Sequence, residues 1–303
     1  MRFYIWEHHG YDPSFKPYRR QELQLPRMYC DECGRLFQGA PSASNIPEPI
    51  PDSVKGLLAP YQKDVPEDLH RRYWEAFGRS DWNNPVIHEY ERFNSASVEE
   101  FRTLSHQIRR LYGLASHRPV MPDAYLGPHF VRKSFSPRWG AYGPDAATGS
   151  LYFSSEVADA LTNQGISGIE LFPVQTSTGK QSSVYLAVVT GDGGVPTTDG
   201  GQVVVCERCG GWEVQGRVQV HYQVDERQWD GSDFFRLRYR FLLVSERVVA
   251  VLRQLGESLF PYTRVEPLAE RQWASADLPV DPVDWGPYNF LEIFRGAGGH
   301  GQA

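Results

Sequence analysis

The spacing of apolar residues changes character once along the chain. Leu69, Tyr73, Trp74 and Phe77 follow Asp64-Val65-Pro66-Glu67 and end at Gly78. Val98, Phe101, Leu104, Ile108 and Leu111 follow Ser97-Val98-Glu99-Glu100 and end at Gly113. Steps of three and four residues put apolar side chains on one helix face, and the proline, the Ser-x-x-Glu box and the terminal glycines are helix punctuation. The pattern predicts helices over 64–78 and 97–113. The stretch 39–66 is rich in Pro, Ser and Gly and predicts a surface loop around a short helix at 53–58. From about residue 117 the apolar runs shorten, after an irregular Pro-rich segment at 118–132. Strands are predicted at 151–153, 169–175, 184–190, 202–205, 217–222 and 235–243, with a further one at 2–6. Gly191-Asp192-Gly193-Gly194, continuing to Asp199-Gly200-Gly201, predicts a long hairpin connection. It lacks the Gly-Lys-Ser/Thr of a phosphate loop.

A correspondence at an offset of 91 residues runs through the second half. Ser154 matches Ser245, Val157 matches Val248, Leu161 matches Leu252, Gly165 matches Gly256 and Val174 matches Val265. Each stretch reads as strand, serine cap, amphipathic helix, glycine stop, strand, so two β-α-β-like repeats are expected. The expected fold is α+β. A helical N-terminal part, 1–116, is followed by a strand-rich part, 117–303.

Composition narrows the class. The 303 residues are 41% hydrophobic and 22% charged, ordinary proportions for a packed domain. At this length one large core or two modest ones can be buried without staples. No run of 18 apolar residues suggests a membrane helix. The N-terminus, Met1-Arg2-Phe3-Tyr4-Ile5-Trp6-Glu7-His8-His9, has no uninterrupted apolar segment of the secretory kind, so a cytoplasmic protein is expected. The net charge of −6 and the lack of a long Lys/Arg run make nucleic acid an unlikely partner.

All four cysteines fall in two pairs, Cys30-Asp31-Glu32-Cys33-Gly34 and Cys206-Glu207-Arg208-Cys209-Gly210. A Cys-x-x-Cys turn aims two thiolates at one ion, and the following glycine can take positive φ as the chain leaves. Strand-like runs at 25–29 and 202–205 precede the pairs. Strand, knuckle, strand is the zinc-ribbon pattern, and two knuckles supply a closed tetrahedral site for structural Zn2+ on Cys30, Cys33, Cys206 and Cys209. The 172 residues between Cys33 and Cys206 far exceed the usual spacing. One shared ion would join the N-terminal region to the C-terminal half as a split ribbon. Two disulfides, a redox dithiol and a catalytic metal are the competing readings. Disulfides need an oxidising compartment, a redox pair usually precedes a helix in a βαβ unit, and a deaminase site needs His-x-Glu upstream and Pro where Val205 stands.

Paired Cys-x-x-Cys-Gly motifs this far apart resemble the bacterial double-CXXCG motif family. Leu126-Gly127-Pro128 and Asp233-Phe234-Phe235-Arg236, leading into Val244-Ser245-Glu246, also resemble that family's pattern. The resemblance covers most of the chain, with the doubled knuckle its specific part. It implies an immunity protein of a contact-delivered toxin system, which neutralises a cognate protein toxin in the cytoplasm. Ser155-Glu156 and Phe172-Pro173-Val174 are similar to a broader class of bacterial immunity domains. The second stretch departs from it, with Tyr262-Thr263-Arg264-Val265.

No catalytic set stands out, and the chain is not expected to be an enzyme. His-Glu-x-x-His and Gly-x-Ser-x-Gly are both missing. His88-Glu89-Tyr90-Glu91 reads as a solvated polar loop, His8-His9 as surface or capping, His106 as the wet side of a helix, and His300 as part of a tail. The C-terminal segment carries Asp277, Asp281, Asp284 and Glu292 without Lys or Arg between Ala274 and Phe294. Trp273, Trp285, Tyr288 and Phe290 alternate with them. Acidic charge steers encounter with a basic partner and aromatic rings anchor it. Asp281, Asp284, Trp285 and Tyr288 are therefore the candidate toxin contacts. The competing reading ties the aromatics onto the core.

Overall fold

A computed structural model describes residues 2–8, 18–19, 23–34, 36–37, 46–78, 84–115, 118–132, 137–142, 150–198, 201–215, 222–237, 242–260 and 263–268. Within them the chain is a mixed α+β protein. Its α-helices are α1 (Asp52–Leu58), α2 (Glu67–Gly78), α3 (Pro85–Arg92), α4 (Val98–Tyr112), α5 (Ser155–Asn163) and α6 (Glu246–Leu255).

The N-terminal helices form where the punctuation asks for them. At α4 the Ser97 hydroxyl accepts from the Glu100 amide, and the Glu100 carboxylate accepts from the Ser97 amide. Gly113 ends the helix at φ 63, the left-handed cap glycine adopts most readily. Val98, Phe101, Leu104 and Ile108 are buried, while Leu111 and His106 stay exposed. In α2, Leu69 and Tyr73 face inward, but Trp74 is exposed. The His88-Glu89-Tyr90-Glu91 run lies in α3, not in a loop. Its start signal is Asn84-Pro85: the Asn84 side chain accepts from the Val86 amide, and proline tolerates the first helical position.

Two sheets organise the rest. The six-stranded sheet runs in the order Tyr18–Arg19, His129–Val131, Ile169–Thr176, Gln181–Val189, Leu151–Ser154, Ala141–Tyr142. The five-stranded sheet runs Gly191–Asp192, Phe234–Arg236, Leu242–Ser245, Phe3–His8, Thr263–Pro267. Both stretches of the offset correspondence fold as strand, helix, strand. Leu151–Ser154 and Ile169–Thr176 flank the antiparallel strand Gln181–Val189. Leu242–Ser245 and Thr263–Pro267 flank the antiparallel strand Phe3–His8. The strand nearest the N-terminus thus sits inside a sheet otherwise built from residues beyond 190. Trp6, Phe153, Val157, Leu161, Phe234, Val244 and Val248 share one buried core, which packs α5, α6 and both sheets together.

Two expectations are corrected. The apolar run 235–243 is not one strand. Phe234–Arg236 and Leu242–Ser245 pair antiparallel with each other. Nor is the glycine-rich segment after residue 190 a hairpin connection. Gly191–Asp192 pairs parallel with Phe234–Arg236, and so carries the chain from the six-stranded sheet to the edge of the five-stranded one.

The helical layer has its own core of Leu25, Ile46, Val54, Leu58, Phe101 and Ile108, among others. Arg118, 4% exposed, fastens this layer to the six-stranded sheet. Its guanidinium pairs with Glu48 and Glu170 and lies over the Phe172 ring. Within the helical layer the Asp123 carboxylate accepts from Gln24 Nε2 at 2.7 Å. Burial pushes the Asp123 carboxyl up to about 6, against the opposing pull of Arg27. A raised carboxyl adds stability below its unfolded value of 3.8 and loses it as pH rises through about 6. Asp123→Asn keeps the acceptor and tolerates the positive φ of 66. The variant should gain about 1–2 kcal/mol at pH 7. Urea melts at pH 7 and pH 4 test this, since the gain should vanish at the lower pH.

Candidate metal centre

Each knuckle sits at the closed end of a short hairpin. Met28–Tyr29 pairs antiparallel with Leu36–Phe37, and Cys30 to Cys33 make the turn between them. Gln202–Val205 pairs antiparallel with Trp212–Gln215, and Cys206 to Cys209 make that turn. Gly34 and Gly210 take φ 72 and 73, so both chains leave their knuckles in the conformation that favours glycine. In the second turn the Gly210 amide donates to the Cys206 carbonyl at 2.8 Å, and the Gly211 amide approaches Cys209 Sγ at 3.4 Å. Amides aimed at a cysteine sulfur suit a thiolate.

The two turns meet face to face. All four Sγ atoms lie within 4.8 Å of one another. Cys30 Sγ is 3.8 Å from Cys206 Sγ, and Cys33 Sγ is 3.6 Å from Cys209 Sγ. A tetrahedral ion with bonds of about 2.3 Å to sulfur sets its sulfurs about 3.8 Å apart. A disulfide would need about 2.05 Å, and all four cysteines are free thiols. The donor set therefore fits a four-coordinate metal ion of the kind that favours thiolates. Burial pushes the Cys209 thiol well above the ordinary range. Four clustered sulfurs, two of them buried, cannot all be ionised without a cation among them.

The surroundings lock the two turns together. Arg208, at the tip of the second knuckle, pairs with Asp31 of the first at 3.0 Å and with Glu99 in the first turn of α4 at 3.0 Å. Its guanidinium holds the Glu99 carboxyl below the usual range. Arg102 on α4 donates to the Arg208 carbonyl. Cys30 and Cys209 are buried in the same apolar cluster as Met28, Val98 and Phe101. The site thus joins the hairpin at Cys206 to the helical layer across the long sequence separation.

The structure brings together all four sequence-predicted ligands. The other candidates stand apart from them. His106 is exposed on α4, and His88 lies 4.0 Å from Glu91 within α3. His9 and His300 lie outside the described residues, as do Asp281, Asp284, Trp285 and Tyr288. The belt of Asp31, Glu99 and Arg208 was not anticipated, because single charges carry no spacing signal. Likewise the buried pair His129 Nδ1 and Tyr152 Oη, at 2.7 Å, joins His129–Val131 to Leu151–Ser154, strands that two others separate in the sheet, with no motif in sequence. Among the described residues no helix is long and apolar enough to cross a membrane. Neither a scan against protein-family models nor a search of curated proteins returned a match for this chain.

Proposed function

We propose that Cys30, Cys33, Cys206 and Cys209 hold one structural zinc ion, and that the protein so clamped is a stoichiometric binding protein: an immunity protein that neutralises a cognate bacterial toxin. The observation that carries this reading is the meeting of two Cys-x-x-Cys-Gly hairpins that 172 residues separate in sequence. That doubled knuckle is also the specific part of the resemblance to the double-CXXCG family. Zinc in a closed four-thiolate site supplies a crosslink and no open coordination position, so the chemistry assigned to it is structural. The two strand–helix–strand units, read as copies of one module, complete the α+β scaffold.

Neutralisation is by steric blocking in the bacterial cytoplasm, with no catalysis. Arg208, at the tip of the second knuckle, is engaged by Asp31 and Glu99, which favours a protein partner over a phosphate backbone. The contact surface is assigned to the acidic–aromatic C-terminal segment, with Trp285 and Tyr288 as anchors and Asp281 and Asp284 as steering charges. Co-expression with the toxin encoded by the adjacent gene tests the reading. Growth should be rescued by a complex of fixed stoichiometry, and Trp285→Ala should cost about 2 kcal/mol of affinity. Rescue without a complex would remove the blocking mechanism. Unchanged affinity after both Trp285→Ala and Asp284→Lys would remove the surface assignment alone.

A further inference from the structure

A cavity of about 430 Å³ opens at the seam between the helical layer and the sheets. One wall is a face of α4 that presents Phe101, Arg102, Ser105 and Arg109. The lining continues with the Pro119–Pro122 turn and with the chain from Val189 to Asp192 together with Arg236. Cys209 closes the end next to the metal centre.

The charge on these walls is one-sided in a protein of net charge −6. The lining carries three guanidinium groups and one carboxylate, Asp192. The Asp192 side chain also accepts from the Gly194 amide at 2.9 Å. Arg236 is 7% exposed, so a permanently charged group is buried against the cavity. A four-thiolate zinc centre carries two net negative charges, and Arg102, bonded to the Arg208 carbonyl, stands next to it. Arg109 is seven residues further along α4, roughly 10 Å away along the axis. It donates to the Ala115 carbonyl at 2.6 Å. Arg236 comes from the five-stranded sheet. Guanidinium groups from two separate elements, lining one cavity together with apolar Phe101, Val120 and Met121, suit an anionic head on an apolar body.

We propose that this cavity binds a small organic anion, held through a phosphate or carboxylate group by Arg109 and Arg236. The site is separate from the proposed toxin contacts and does not depend on what the partner is. Because its walls belong to both layers, an occupant ties α4 to the five-stranded sheet and raises the melting temperature. The test is thermal unfolding of the full-length, zinc-loaded chain titrated with phenyl phosphate in one arm and benzoate in the other. A saturable rise of about 5 °C is expected at roughly a hundred times Kd, and it should weaken as NaCl increases. Response to phenyl phosphate alone identifies a phosphate ligand; response to benzoate, a carboxylate. Arg109→Gln, an exchange at a part-exposed helix position, should weaken binding about tenfold. Arg102→Gln should weaken it less. No saturable shift with either probe at millimolar concentration overturns the proposal, as does an undiminished shift in Arg109→Gln.

Discussion

Removing the metal should unfold or loosen this protein under conditions in which the loaded form is stable. Structural zinc in four-thiolate sites contributes on the order of 10 kcal/mol of apparent binding energy, comparable to the whole stability of an ordinary domain. Here the ion would bridge two hairpins that are neighbours only in space. Without it, four sulfurs within 4.8 Å of one another keep the apolar packing of Cys30 and Cys209, the Arg102 bond to the Arg208 carbonyl and the surface pairs of Arg208, each pair worth under about 1 kcal/mol. Chelation should lower the melting temperature by tens of degrees or abolish the cooperative transition. Cys206→Ser should reproduce this, because a hydroxyl is a poor zinc ligand at neutral pH. Metal binding displaces protons from the thiols, so zinc should be surrendered to chelator more readily at pH 6 than at pH 8. Limited proteolysis gives an independent readout. In the loaded protein, trypsin cuts near the exposed Lys63 should leave the first knuckle attached; after chelation it should be released. Protein purified without chelator that contains no zinc, yet melts as the wild type does after cysteine substitution, would show the cluster to be four packed thiols.

The knuckles were legible in sequence because their signal is local: two cysteines, a three-bond turn and a glycine of positive φ within five residues. The α4 capping box was legible for the same reason. The non-local pairings were not. Phe3–His8 reads as a strand from its own residues, but its place between Leu242–Ser245 and Thr263–Pro267 depends on partners about 240 residues away. Residues 234–243 alternate apolar side chains with Arg236, Arg238 and Arg240. Alternation of that kind is what one long strand would show, so the reversal between Arg236 and Leu242 left no mark. The eight residues of α3 are too few to establish a stripe. Arg118 and Arg236 carry no spacing signal of their own, and their burial follows from partners and walls that only the fold assembles. For the metal site the ligands were readable, whereas the charged belt that aligns them was not.

Gly168→Ala should be among the most damaging single-methyl additions the chain can receive. Gly168 lies in the turn after α5, where the six-stranded sheet meets the strand Phe234–Arg236. Its φ of 77 already disfavours a side chain, at a cost of about 1 kcal/mol. A Cβ there would stand 2.0 Å from the Phe234 carbonyl oxygen and 2.6 Å from Ser232 Cβ. Backbone oxygen cannot rotate away as a side chain can. The same oxygen would lie 2.1 Å from a Cβ on Gly191, so a turn glycine and a strand glycine close on one carbonyl. The seam is further pinned by the Phe234 amide, which donates to the Ser167 carbonyl at 3.0 Å. Beside it the buried Asp233 carboxylate accepts from the Ser167 amide and hydroxyl, from Ser245 Oγ at 2.6 Å and from Arg247 at 2.7 Å. Relief of the clash would have to separate the sheets and strain that network, so a loss of about 3 kcal/mol or more is expected. Gly179 is the matched control, with φ 81 but nothing within 4 Å of its Cβ position. Gly179→Ala should cost only the conformational penalty of about 1 kcal/mol. Urea unfolding of the two variants side by side isolates the clash from the backbone term. If they lose equal stability, the sheets do not meet at Phe234 as closely as the structure has them.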